Sequence, residues 1–220
     1  MLKRILEISP KTSYFSILSG GIEDDFSLSE RITKTCDNLI ESCLKKKTKV
    51  TIICCSSFSL NVPPKLDRYG MPISESTVVA NYLKNKLLGK IEFELLCEQL
   101  SHDTLASLVF LSELYVKNFE ITKLNIYCPF YQKRRVLEIS KFLKKINFFS
   151  GCGLNIVGVD STVDDKILKD RLRHENNAIE EFKRNTQSIK LKKDFFKFFL
   201  RKHTCLNCLF SGRKVSNEFY

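Results

Sequence analysis

Residues 50–55 read VTIICC, a run without a single charge. A short, continuously apolar segment of this kind fits a strand covered on both faces, and such strands sit inside parallel sheets wrapped by helices. The flanking sequence repeats the pattern. Tyr14–Leu18 (YFSIL), Leu124–Cys128 (LNIYC) and Asn155–Val159 (NIVGV) are further short strand-like runs, and Glu92–Leu96 is a short third strand. Between them lie segments with helical spacing: Ser27–Lys46, Ser74–Leu88, Asp103–Asn118 and Phe130–Asn147. In the first of these, Leu28, Ile32, Cys36, Leu39, Ile40 and Cys43 fall on one side, with Ser27 or Ser29 placed to cap it. Strand and helix in alternation predict an α/β domain with a mostly parallel sheet of about five strands and right-handed crossovers. The order of the strands is not readable from the pattern.

Charge separates the chain into two parts. Residues 183–220 carry ten Lys/Arg and two Asp/Glu, a net of +8, whereas residues 1–182 carry 26 and 23, a net of +3. The basicity therefore belongs to a tail, and we expect an α/β domain over 1–182 followed by a basic, Phe-rich helical tail over 183–220. The balanced body argues against nucleic acid as the partner. Nine cysteines would suit a disulfide framework in a small secreted domain. Here Cys54, Cys55, Cys97 and Cys128 lie in or beside apolar runs, as small buried hydrophobes do. With neither an export signal at the start nor a spanning apolar run, the expectation is a cytoplasmic protein. Cys205-x-x-Cys208 has metal-like spacing, but only His203 stands near it, and a structural zinc needs four ligands, so no metal is expected.

The turns after the strands carry the polar residues. Gly20 and Gly21 follow the first strand, where glycine permits a sharp turn or the close approach of a ligand. Ser74 and Glu75 open the second helix, and Glu98, Ser101 and Thr104 lie where the third strand hands over to the next helix. Arg134, inside KRR, begins the helix after the fourth strand. In an open α/β sheet this edge is where ligands sit. Each group also has a plainer role: carboxylates complement a helix dipole, Ser101 and Thr104 act as caps, and a basic triplet is a solvated face. His102, beside the third turn, is a candidate proton donor or an exposed loop histidine.

In this order, the Gly-Gly turn, Arg31 in the first helix, Ser74-Glu75, Glu98-x-x-Ser101-x-x-Thr104 and the YCPFYQKRR turn resemble the SanA/YdcF/ElyC-like bacterial family, DUF 218. The resemblance covers about residues 14–161. It implies a Rossmann-like three-layer α/β/α domain and a nucleotide-type pocket, with a nucleotide or an S-adenosyl compound as the ligand class and links to cell-envelope processes. The chain departs from the family at three points. CCSSF stands where Ser-Gly-Gly is usual, Ser107 where an Asn is common, and Tyr131 where the family has a His. A phenol with a pKa of about 10 is a poor general base at neutral pH, so binding can persist where catalysis does not, and whether the chain is an enzyme stays open.

Two functional readings follow. In the first, a small anionic or nucleoside-containing ligand binds at the edge formed by Gly20, Gly21, Ser74, Glu75, Glu98, Ser101, Thr104 and Arg134. In the second, the protein is a non-catalytic regulator or interaction protein that works through its tail. As a helix, residues 191–201 place Leu191, Phe195, Phe198 and Phe199 on one side and Lys192, Lys193, Lys197 and Arg201 on the rest. That pattern fits an anionic membrane surface met by residues 183–210 at the inner face of the membrane. It fits equally a helix docked on its own domain. The oligomeric state is not readable.

Overall fold

The computed structural model describes residues 12–58, 64–160 and 165–201. Five strands, β1 (Ser13–Leu18), β2 (Val50–Cys55), β3 (Phe93–Glu98), β4 (Lys123–Pro129) and β5 (Gly153–Val159), form one parallel sheet. Their order is β3-β2-β1-β4-β5. The chain builds outward from β1 to β3, returns across the sheet, and lays β4 against the free side of β1. The direction of winding thus reverses between β1 and β4, which is the point where open α/β sheets form a crevice. All five expected strands are present, and the fold is a Rossmann-like α/β sheet flanked by helices.

Period-two alternation within the strands divides the core. Val50, Ile52 and Cys54 of β2 join a cluster with Ile32, Cys36 and Leu39 of α1 (Glu30–Leu44) and Val79, Leu83 and Leu87 of α2 (Glu75–Leu87). Ile53 and Cys55 point the other way, to Leu105 and Leu108 of α3 (Thr104–Phe110) and Val136, Ile139 and Leu143 of α4 (Lys133–Lys145). Both faces of β2 are covered, which is why its sequence shows no alternation. The described cysteines are free thiols. Burial pushes Cys36, Cys43 and Cys128 up to about 12, so they pack as inert hydrophobes.

The helices are shorter than their periodicity suggests. The first begins at Glu30, with Ser29 as the cap position, rather than near Ser27. The third continues past Phe110 as a wider π-helical segment, Leu111–Val116. There the Ser112 hydroxyl accepts from the Phe149 N–H at 2.8 Å and the Tyr115 hydroxyl donates to the Cys97 carbonyl at 3.1 Å. A 3₁₀ turn, Phe130–Gln132, precedes α4.

The last two helices, α5 (Asp165–Thr186) and α6 (Lys192–Arg201), pack on the α3–α4 side. The tail helix is docked. Phe195 and Phe199 are 0% and 2% exposed and belong to the same apolar cluster as α3 and α4, with Phe196 and Phe198 packed against it. Phe195 stacks on Phe199 at 5.5 Å and meets Phe148 edge-on at 5.4 Å. Lys192 reaches back over the Phe148 ring at 4.2 Å and pairs with Glu113 at 2.5 Å. Lys193, Lys197 and Arg201 face outward. Among the described residues no helix is long and apolar enough to cross a membrane. Residues 202–210 of the expected tail segment, with the Cys205-x-x-Cys208 spacing and His203, lie outside the described residues.

Phe195→Ala should cost about 3–5 kcal/mol, the scale of deleting a buried ring, as read by urea denaturation. An unchanged midpoint would show that α6 is not part of the core.

Candidate functional site

β3 ends in Glu98, which is 1% exposed. Its Oε1 accepts from the N–H groups of Leu100 at 2.6 Å and Ser101 at 2.8 Å. Its Oε2 accepts from the Ser101 hydroxyl and, at 3.4 Å, from the Ser56 N–H of the β2 turn. The carboxylate is thus occupied by its own chain. Ser101 extends the connection: its carbonyl accepts from the Ser57 N–H at 2.8 Å, and its Oγ lies 2.9 Å from Ser107 Oγ. Capping of α3 falls to Asp103, whose side chain accepts from the Ala106 N–H at 2.8 Å. Ser101 and Thr104, expected as caps, do not fill that role; Thr104 is the first helical residue.

The α2 end joins the same network. The Glu75 N–H donates to the Ser57 carbonyl at 2.7 Å and the Ser76 N–H to the Ser56 carbonyl at 3.0 Å. Ser74 makes no side-chain cap. Its hydroxyl instead donates to the Ser56 carbonyl at 3.3 Å and lies 2.6 Å from Ser76 Oγ. The Glu75 carboxylate, 6% exposed, accepts from the Gly21 N–H at 3.1 Å. Arg31 Nη2 donates to the Gly20 carbonyl at 2.9 Å. Two buried carboxylates therefore tie together the turns after β1, β2 and β3.

Three backbone positions in this network differ in kind. Gly21 has φ +104°, and an added Cβ would stand 2.6 Å from Arg31 Nη2. Gly20 has nothing within 4 Å of where its Cβ would be, so open space lies above it. Ser56 has φ +97°, a conformation that favours glycine. It sits in CCSSF, where the resembled family has glycines. The glycine-like backbone persists under a serine because Glu98, Ser74 and Ser76 hold its amide and carbonyl.

On the β4 side, Tyr131 is 4% exposed. The Arg171 guanidinium lies over its ring at 5.2 Å and donates to its hydroxyl at 3.3 Å. Arg134 is exposed, and its Nη1 donates to Asn176 of α5 at 2.7 Å. β3 and β4 are separated by β2 and β1, about 14 Å at the usual strand spacing. Gly20, Gly21, Ser74, Glu75, Glu98, Ser101 and Thr104 are thus brought together or into neighbouring turns, whereas Arg134 stands across the β1–β4 crevice from them. His102 has its Nδ1 3.2 Å from the Phe58 carbonyl and its ring 4.3 Å from the Phe58 ring. A carbonyl only accepts, so Nδ1 carries the proton and Nε2 is the acceptor in the neutral ring.

The sequence marks Arg31 only as a landmark and does not single out Ser56 or Arg171, which the structure places in and beside these turns. The spacing of Arg31 from the Gly-Gly turn was the one signal present. A shallow depression of about 390 Å³, lined in part by Lys144, Asn147, Ser150 and Gly151, opens at the opposite end of the sheet, where β5 begins. Among the described residues no group of His, Cys, Asp and Glu side chains is arranged to hold a metal. No family model matches this chain, and no curated protein or solved structure matches it either. The DUF 218 resemblance rests on the order of the motifs alone.

The two positive-φ positions, Gly21 and Ser56, should respond differently to substitution. Gly21→Ala should destabilise by about 1–3 kcal/mol and Ser56→Gly should stabilise by roughly 1 kcal/mol, as measured by chemical denaturation. Equal effects at both sites would remove the strain argument.

Proposed function

We propose that this chain binds a small anionic or nucleoside-containing ligand at the C-terminal edge of the sheet, over Gly20 and beside the β1–β4 crevice. The observation that carries the reading is the open space at Gly20 on the strand that borders the reversal of winding. Backbone can approach a phosphate or ribose closely only where no Cβ intervenes, and the C-terminal edge at such a reversal is where dinucleotide-type ligands sit. The buried network supports this assignment indirectly. Glu75 and Glu98 hold the turns in place, and rigid turns keep a site formed without a ligand. The contact surface is then Gly20 from β1, with the Phe130–Arg134 turn facing it from β4.

The resemblance to YdcF-like proteins supplies the ligand class, a nucleotide or an S-adenosyl compound, and a role linked to the cell envelope. Binding is proposed here without a reaction. Glu98 is saturated by its own chain, and Tyr131 is packed under Arg171, so neither is set up as a proton acceptor. A second reading, contact of residues 183–210 with an anionic membrane surface, draws on the outward Lys193, Lys197 and Arg201. With Phe195 and Phe199 in the core, that contact would be electrostatic adsorption without insertion.

A thermal-shift series across nucleosides, nucleotides and S-adenosyl compounds tests the first reading. A ligand at 100 times its dissociation constant adds about 2.7 kcal/mol of stability. Gly20→Val should keep the parent's stability and lose that shift. If Gly20→Val binds as the parent does, the ligand does not lie over Gly20, and if no compound shifts the parent, the ligand class is wrong.

A further inference from the structure

In a parallel sheet every strand begins at one edge, and every helix that leads into a strand ends there. Here that N-terminal edge is made by residues 44–50, 84–92, 117–123 and 144–153, the helix ends and connections that lead into β2, β3, β4 and β5. Residues 183–192, the end of α5 and the start of α6, join them. Phe182 meets Phe142 of α4 at 5.3 Å, and Lys192 lies over the Phe148 ring at 4.2 Å. These five segments carry 15 Lys/Arg and two Asp/Glu, whereas the rest of the chain carries 21 and 23. The net positive charge of the chain therefore comes from this edge.

Helix polarity accounts for part of the pattern, because a helix dipole favours cations within its last turn. The last turns of α2, α4 and α5 have them. That of α1 has none, yet Lys46 and Lys47 follow beyond its cap, and Lys90 and Lys123 stand in the turn after α2 and at the start of β4. Lys49, Lys183 and Lys192 pair with Glu94, Glu180 and Glu113. Among the described residues, the exposed Lys45, Lys47, Lys90, Lys123, Lys144 and Lys145 form no ion pair. Leu44, Leu88 and Leu191 stand among these lysines at 41%, 66% and 52% exposure. The aromatic rings of the edge are committed to the body: Phe148 and Phe149 are buried, and Phe119 stacks on Tyr115.

We infer that this edge is a contact face for an anionic lipid bilayer. Fourteen of its fifteen cations are lysines, hydrated point charges suited to diffuse attraction by a field of headgroups. A nucleic-acid face draws instead on guanidinium forks and on rings free to stack with bases. The exposed leucines add apolar contact at the headgroup boundary, for which a phosphate backbone has no use. α1 and α4 pack on opposite faces of the sheet, so lysines from both layers meet the same surface. The edge that carries Gly20 then faces away from the bilayer. For its partner the inference rests on the membrane reading of the tail, and it moves the contact from the outward side of α6 to the sheet edge.

Sedimentation of the full chain with phosphatidylcholine vesicles, with and without about one-third phosphatidylserine, is the test. The parent should bind only the mixed vesicles, and added salt should weaken the binding. Lys45→Gln with Lys47→Gln, and separately Lys144→Gln with Lys145→Gln, should each weaken it by about 30-fold, whereas Lys193→Gln with Lys197→Gln should change it by less than about threefold. These side chains are all exposed, and an unchanged circular dichroism spectrum shows that each variant folds. The edge inference is overturned, with the tail reading left standing, if either edge pair binds as the parent does or if the α6 pair costs as much as the edge pairs. It is overturned in favour of nucleic acid if the parent binds single-stranded RNA more tightly than the mixed vesicles. A parent that ignores the mixed vesicles removes the membrane reading as a whole, and the edge inference with it.

Discussion

Glu98 ends the third strand with its carboxylate beneath the surface, and four donors from two turns converge on it. A buried carboxylate is tolerated only when its lone pairs are filled, so the geometry of the surrounding backbone is bound to its presence. Ser101 passes the constraint to the β2 turn, and Ser56 and Ser57 pass it to the head of α2. Glu75 then fixes Gly21, and Arg31 fixes Gly20. The edge of the sheet is thus set by polar contacts that run from β3 to β1. The switch point between β1 and β4 lies just beyond the last of them.

The architecture was legible in the sequence because strands buried on both faces have to be apolar throughout. VTIICC admits few other readings, and the segments around it alternate with helices of clear periodicity. The positions of Gly20, Gly21 and Glu98 at strand ends, and of Glu75 at a helix start, were legible for the same reason. Their roles were not. Whether a carboxylate faces a ligand or its own backbone depends on turn geometry that no spacing encodes, and Glu98 faces its own backbone. Ser56 is the clearest case: nothing in its chemistry announces a positive φ, which appears only once the neighbouring turns are in place. Spacing alone does not encode strand order, and the order β3-β2-β1-β4-β5 puts Arg134 across the crevice from Glu98.

Helices α5 and α6 show how a charged segment can serve two ends. Both carry many Lys and Arg residues, and neither uses them alone to hold its place. In α6 the phenylalanines complete the core, and the basic residues are left outside. In α5 the buried Ile179 and the Phe182–Phe142 contact lie in the second half, and the first half includes the Arg135–Glu175 ion pair and the Arg134–Asn176 hydrogen bond. Dissolved salt screens exposed charge contacts directly.

Glu98 is the organiser of the sheet edge. Glu98→Gln keeps the shape of the side chain but replaces an acceptor-only group, so at least one of the converging donors loses its partner. The variant should lose about 2–3 kcal/mol in chemical denaturation and show faster hydrogen exchange at Ser56, Leu100, Ser101 and Gly21. Stability and exchange equal to the parent's would contradict that role.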